Sequence, residues 1–332
     1  MKVAIIGAGL YGSYIAYMLS RNKKISIDLY EKRKRILDST AKKNQYRLHI
    51  GYHYPRSKDT ILQTINGYKI FKRQFKKFLY FPKKNYYLVH NESKINYEKY
   101  LKIYKSFNLN FHQVGKNQLS QYLYQNQIAG CLNTEEGVIL IDRLISYFKK
   151  KLKNKTTIYK NIEIDKIDNV DGIVFSKKKK LKVYDLIINT TYENPNLGLT
   201  KKKFKLKYEL TAMVKILKPF KEQLGLTIMD GLFVSLYPQN KKESTISSVK
   251  YTPIFKSRSF KKIKDKLKKL DKSKINNNII NHALKFLKLK KSKLKPKLIL
   301  SHKVKLMNDK NDVRTSVIIH LCPNVMINVY IS

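Results

Sequence analysis

The feature that most constrains this chain lies at its start, where "VAII" (Val3–Ile6) runs straight into "GAGLYG". A short continuous apolar run is what a parallel strand buried on both faces requires. Gly7, Gly9 and Gly12 then open a helical pattern through Ala16 and Leu19, and "ISIDLY" (Ile25–Tyr30) reads as a second strand with Glu31 at its carboxyl end. A G-x-G-x-x-G alone is weak; placed between a strand and a helix, with an acid closing the next strand, it predicts a dinucleotide-binding βαβ unit. Gly7 permits the tight turn, Gly9 lets the backbone approach a pyrophosphate, and Gly12 allows close helix–strand packing. The helix N-terminus, with Ala8, Leu10 and Tyr11 around it, offers N–H groups and positive dipole to the phosphates. Glu31 is suited to both hydroxyls of an adenosine ribose and repels a 2′-phosphate; Lys32 and Arg33 beside it act in the opposite sense. This unit fits NAD and FAD alike, and a tight turn with no ligand is the plain structural alternative.

At 332 residues the chain exceeds the size at which one core stops growing, so two lobes are expected. Lys and Arg number 70 against 23 Asp and Glu, a formal net charge of +47. Such a field attracts nucleic acid, anionic lipid or small anions in a salt-dependent way. The lysines are nevertheless spread along the whole chain, Gly is scarce and Trp is absent, which reads as compositional bias and a solvated surface. The expected partner is therefore a small-molecule substrate, with no dedicated nucleic-acid site and only weak association with anionic surfaces. Cys131 and Cys322 form no CxxC or metal-like cluster, so no metal site is expected. The opening lysine and apolar run resemble an export signal, but glycines interrupt the run and no small-residue cleavage site follows; a cytoplasmic location is expected.

Further along, Ile61, Ile65, Tyr68, Phe71 and Phe75 predict a helix within Thr60–Phe78, and another is expected around Tyr97–Phe107. "IDRLISYFKKKL" is an amphipathic helix with cations in its last turn, where the dipole favours them. "VDGIVF" signals a hairpin, and "YDLIINTTY" a buried strand running into a polar turn. In the second half, "YELTAMVKIL", "LTIMDGLFVSLYPQ" and "STISSVKYT" alternate as antiparallel strands with one covered face do. The lysine-dense stretch from Ser259 to Lys291 places Phe260, Ile263, Leu267 and Leu270 on one helical face, resumed by Ile279, Ala283 and Leu287 after a break expected near Asn276. Its lysines read as the hydrated back of buried helices.

The most unusual segment is "NQYRLHIGYHYPRS" (Asn44–Ser57), too polar for a core strand. Together with the first unit, "GVILIDRLISYFKKKL", "YDLIINTTY" and "MDGLFVSLYP" (Met229–Pro238), it resembles the D-amino-acid oxidase (DAO) family of FAD-dependent oxidoreductases, which includes glycine oxidase and L-2-hydroxyglutarate dehydrogenase. The similarity is greatest to bacterial members with an N-Q-x-R-x-H-x-G-Y-H-Y-P-R-S segment, and it covers nearly the whole chain. The resemblance implies an α/β fold, a Rossmann-like FAD-binding domain carrying an inserted, mainly antiparallel β-sheet substrate domain. Segments 1–78, 139–200 and 306–332 would form the first, and 79–138 and 201–305 the second.

By the same resemblance, Asn44, Gln45 and Arg47 are expected near the phosphate and ribityl groups, and His49, Gly51, Tyr52 and His53 near the flavin ring or the substrate. Flavin oxidation of an amine or alcohol needs a base for the N–H or O–H proton, a task matched to histidine near neutral pH; His49 and His53 are the candidates. Tyr52, Arg56 and Arg314 are candidate substrate contacts, Arg56 as a bidentate clamp on a carboxylate. Thr190 stands where small residues let the chain pass the cofactor, and Asp230 and Gly231 are expected to turn at the edge of the substrate sheet. DAO-like chains finish with a strand, a glycine turn and a helix facing the flavin; here "NVMINVYIS" supplies the strand alone, so a truncated or divergent flavin site is expected. The implied activity is oxidation of a small amine or hydroxy acid, possibly saccharide-linked. An NAD-dependent dehydrogenase and a non-catalytic polyanion-binding protein are the alternatives.

Overall fold

A computed structural model describes residues 1–200 and 203–307 and, beyond them, the backbone of strands Val317–Leu321 and Met326–Tyr330. Arg314 and Cys322 lie outside the described residues, as do the residues between and after those last strands.

The glycine-rich start folds as β1 (Lys2–Ile6), α1 (Leu10–Leu19) and β2 (Ser26–Glu31). These belong to a six-stranded sheet ordered Val317–Leu321, Met326–Tyr330, Leu186–Asn189, β1, β2, Thr157–Lys160, parallel throughout except for the first pair. Ile5 sits in register with Ile188 on one side and Leu29 on the other. Alternation along β1 sends Val3 and Ile5 toward α1 and the helix Ile141–Leu152, where they meet Ala16, Leu144 and Phe148. Ala4, Ile6 and Ile187 face the other way and pack on Ile164, Val174 and Tyr184. The small meander Lys166–Asp168, Ile173–Ser176, Lys179–Val183 covers that second face. With both faces covered, a polar residue anywhere in "VAII" would be buried, which is why the run is continuous.

A nine-stranded sheet stands against the mouth of this unit. Its spine, Leu206–Leu217, pairs along one edge with Lys297–Leu306 and along the other with Phe255–Ser257 and then Glu243–Ser248. Val234–Pro238, Leu224–Met229, Lys84–His90, Ile128–Thr134 and Phe111–Gln113 follow in order. All neighbours are antiparallel except Leu224–Met229 with Lys84–His90. The sheet is thus mainly antiparallel, as expected; the strands of its one parallel pair come from distant parts of the chain, so no hairpin dictates their orientation.

The helix Lys272–Leu284 packs Ile279, Ile280 and Ala283 against Val214, Leu236 and Ile246 on the outer face of this sheet. The break before it falls between Lys268 and Lys272 and not near Asn276. The Asp271 carboxylate accepts the Lys274 N–H at 2.9 Å, an N-cap stronger than any stop signal in the asparagine run. Ser57 caps the helix Lys58–Phe75 in the same way, at Thr60 N. A three-stranded patch of Arg47–Leu48, Gly137–Ile139 and Leu79–Tyr80 lies where the polar segment meets the chain between the two sheets. Among the described residues no helix is long and apolar enough to cross a membrane.

Candidate active site

The glycine turn is held from below. Gly7 has φ +99°, and a methyl group there would lie 2.8 Å from the Thr190 carbonyl oxygen. At Gly12 a methyl would lie 1.9 Å from the Gly7 carbonyl oxygen and 2.6 Å from Thr190 Oγ1. The Thr190 hydroxyl lies 2.9 Å and 2.8 Å from the carbonyls of Ile6 and Gly7, fastening the exit of the strand Leu186–Asn189 to the turn. Gly9 is different: a methyl there would meet nothing within 4 Å. Protein packing therefore demands glycine at 7 and 12 but not at 9, which borders open space. Gly9 is also the N-cap of α1, which has no side-chain cap and no acid in its first turn, leaving its N–H groups and dipole for an anion.

Glu31, 5 % exposed, accepts the Ala8 N–H at 3.1 Å through one oxygen and the Arg33 N–H at 2.9 Å through the other. It braces the turn as well as facing the cavity, and each carboxylate oxygen keeps a lone pair for a ribose hydroxyl. Lys32 is hydrogen-bonded to Glu193, and Arg33 reaches the same carboxylate at 2.9 Å, so both cations are already matched. His302, from the large sheet, lies 3.3 Å from Glu193 as well. Burial works to raise the Glu193 pKa, but the close contact with His302 and the Lys32 charge outweigh it and hold the carboxyl far below the usual range.

One cavity of about 900 Å³ runs from Gly7, Gly9, Leu10 and Tyr11 past Glu31, Lys32, Asn44, Gln45 and Arg47 to His49, His53 and Tyr54. Its far wall is the inner face of the nine-stranded sheet, with Met213, Thr227, Ser235, Ser247 and Ser301. The polar segment is stitched to that wall. Gln45 donates to Thr245 Oγ1 at 3.2 Å and accepts from the Ser235 hydroxyl at 3.1 Å. Arg47 donates to Thr227 Oγ1 at 2.8 Å, with its guanidinium 4.0 Å from the centre of the Tyr237 ring. The Asn44 side chain turns back to accept the Tyr46 N–H at 2.8 Å, which supports the positive φ of Tyr46.

At the inner end, His49 Nδ1 lies 3.3 Å from Glu136 Oε1, and the His53 ring centre is 5.2 Å from that of His49. Glu136 is 0 % exposed and also accepts the Ile50 N–H at 3.0 Å and the Tyr87 hydroxyl at 2.5 Å. Burial alone would raise its pKa; the charge and hydrogen bond of His49, with the Tyr87 and Ile50 bonds, prevail and keep it below the ordinary glutamate value. Burial, then the adjacent Glu136 charge, push the Tyr87 phenol up.

Four expected contacts lie elsewhere. Tyr52 is 1 % exposed and packs in the core against Tyr87 and Tyr104, its hydroxyl bonded to the Asn110 carbonyl; a bulky ring on the inward face of the ribbon is worth more buried than facing a cavity. Gly51 has φ +129° and sits over Ile61, so the helix Lys58–Phe75 and the backbone conformation require it, not the cofactor. Arg56 pairs with Asp230 Oδ1 at 2.9 Å, tying the ribbon to the turn at Asp230, whose φ is +57°. Ala8 is buried beneath the turn. The residue that sequence reasoning missed is Glu136. Nothing in "NTEEG" marks Glu136; the antiparallel register of Leu48 with Gly137 is what sets it beside His49.

The open cradle at Gly9, the uncapped helix start and a cavity long enough to continue to the histidines fit a flavin dinucleotide. A family model described as FAD dependent oxidoreductase (DAO) matches residues 2–234. An FAD-dependent monooxygenase, FPY4, from Fusarium mangiferae is 27 % identical over 257 residues, 76 % of this chain and 65 % of that protein's length. The chain thus aligns with less than two thirds of that relative. Glycine oxidase from Geobacillus kaustophilus superposes with a TM-score of 0.74 over 92 % of this chain and 83 % of the other, at 10 % identity. L-α-glycerophosphate oxidase from Mycoplasma pneumoniae, solved with FAD bound, gives 0.72 over 99 % and 88 %, at 17 % identity. The family match spans well over half of the sequence, and the chain belongs to the DAO family of FAD-dependent oxidoreductases.

Proposed function

We propose that the protein oxidises a small amine or hydroxy acid at the carbon bearing the nitrogen or oxygen, with FAD as its cofactor. The observation that carries this reading is the single cavity joining the glycine turn to the histidine wall. Residues 1–78 and 139–200 would make up the FAD-binding part, and 79–138 and 201–305 the sheet that closes over the substrate. Gly7, Gly9 and the start of α1 would hold the diphosphate, and Glu31 the adenosine ribose. Bound FAD supplies a two-electron acceptor. His49 takes the N–H or O–H proton of the substrate, help typically worth ~10²–10⁴-fold. The large sheet walls the chamber and presents Thr227, Ser235, Ser247 and Ser301 as hydrogen-bonding groups. An NAD-dependent dehydrogenase would leave the histidine wall without a role.

The test is an anaerobic visible spectrum of the FAD-reconstituted protein, challenged with a panel of amino acids, 2-hydroxy acids and glycerol phosphate. Bleaching of the flavin by one class supports the reading. Failure to take up flavin after reconstitution, or no bleaching by any class while dithionite still reduces the flavin, contradicts it. Oxygen uptake in a parallel aerobic assay would show whether oxygen reoxidises the flavin.

A further inference from the structure

We propose that Glu136 is the positioning residue of this site: it holds the His49 imidazole with its proton on Nδ1, leaving Nε2 as the proton acceptor turned to the cavity. The proposal rests on the reading of His49 as the acceptor and adds the group that makes it one.

The argument begins with the cost of burial. A carboxylate taken wholly out of water is destabilising by several kcal/mol unless well-placed donors surround it. Glu136 is fully buried among aromatic side chains, with Tyr52, Tyr87 and Tyr237 near it. Three donors converge on it. The Ile50 N–H at 3.0 Å comes from the ribbon backbone and is half-buried, and the Tyr87 hydroxyl at 2.5 Å comes from the large sheet and is buried. The third, His49 at 3.3 Å, reaches it from the cavity side. Glu136 therefore grips the ribbon twice, by the backbone of Ile50 and by the ring of His49.

An ionised carboxylate only accepts hydrogen bonds, so Nδ1 must carry the proton at this contact. In the neutral ring the lone pair is then on Nε2, and His49 lines the cavity. When Nε2 takes a proton, the imidazolium that results lies against an anion already in place, so the charge forms where it is compensated. The proton later leaves from Nε2 to water in the cavity, returning the ring to its starting form. His53 and Tyr54 face His49 from the ribbon itself, with ring centres 5.2 and 5.5 Å away. Arg47 and the phenols of Tyr87 and Tyr237 face Glu136 from the small patch and the large sheet. Among these groups, Glu136 is the anion that touches the ring.

The direct test is a long-range ¹H–¹⁵N correlation spectrum of the FAD-loaded protein labelled at its 7 histidines, with His49→Gln identifying the His49 signals. The expected result is a single neutral tautomer, protonated at Nδ1, that becomes mixed or protonated at Nε2 in Glu136→Gln. Wild-type His49 protonated at Nε2 overturns the proposal, and this reading needs no variant at 136 to fold. A flavin-loaded Glu136→Gln that keeps the Nδ1–H tautomer overturns it as well. With a substrate found by the bleaching screen, Glu136→Gln should slow flavin reduction by about a hundredfold, within the general-base range. It should slow the His49→Gln background no further; equal slowing in both backgrounds overturns the positioning role. If the tautomer is as stated but His49→Gln reduces its flavin at the wild-type rate, Glu136 still sets the tautomer and it is the acceptor reading of His49 that falls.

Discussion

A methyl group at Gly12 would meet the Gly7 carbonyl oxygen at 1.9 Å, whereas one at Gly9 would meet nothing within 4 Å. These contacts separate a glycine that packing requires from one that packing leaves free. Gly12→Ala should prevent the turn from closing and leave little folded protein. Gly9→Ala should melt as the wild type does without flavin, since its φ of −70° suits alanine. It should bind FAD at least about tenfold more weakly, a loss of about 1.4 kcal/mol read by titration of flavin fluorescence. The glycine turn was legible in the sequence because its constraints are local: strand, turn and helix follow one another within one βαβ unit. The ribbon behind it was legible only in part. His49 and His53 line the cavity, but Tyr52 and Arg56 do not, because the ribbon sends successive side chains to different surroundings that depend on distant segments. Glu136 was silent for the same reason, since its meaning arises from the pairing of Leu48 with Gly137, far apart in the chain.

Whole elements were easier to read than their joints. Helix Ile141–Leu152 buries Leu144, Ile145, Phe148 and Leu152 and ends in Lys149, Lys150 and Lys151, the pattern its sequence announces. The helix Lys272–Leu284 was recognisable by its apolar face, yet its start was misplaced because one capping aspartate decides it. That helix also carries a pH-sensitive contact. His282 is 6 % exposed, and its Nδ1 lies 2.9 Å from the Ser248 hydroxyl on the large sheet. Burial, and then the charges of Lys250 and Lys285, push its pKa down from 6.5 to about 4. The unfolded chain therefore binds the proton more readily than the folded one. Stability contributed here is present above the unfolded value and is lost as pH falls from 6.5 toward 4, by up to roughly 3 kcal/mol. Urea midpoints measured across that interval should fall for the wild type and fall less for His282→Asn. The depressed carboxyls of Glu136 and Glu193 begin to cost stability only at lower pH, as the ordinary glutamate range is reached.

At the scale of the molecule, two sheets of different construction enclose one chamber. The six-stranded sheet is buried on both faces and supplies the turn, while the nine-stranded sheet has one face packed on the helix Lys272–Leu284 and the other on the cavity. The sheets are joined across the chamber by Gln45 to Thr245, Arg47 to Thr227 and His302 to Glu193, so the ribbon is held between them. The net charge of +47 bears on how the protein meets anions in solution and not on this architecture. The first βαβ unit, the alternation of the later strands and the family resemblance foretold an α/β fold with an inserted sheet, but only the assembled molecule shows that the ribbon begins in one half and ends against the other. The most direct measurement is a crystal structure of the protein loaded with FAD. The account predicts the diphosphate against the N–H groups at Gly9 and the start of α1, the adenosine ribose at Glu31, and the flavin ring beside His49. A diphosphate bound away from Gly9, or a flavin ring out of reach of His49, would contradict it.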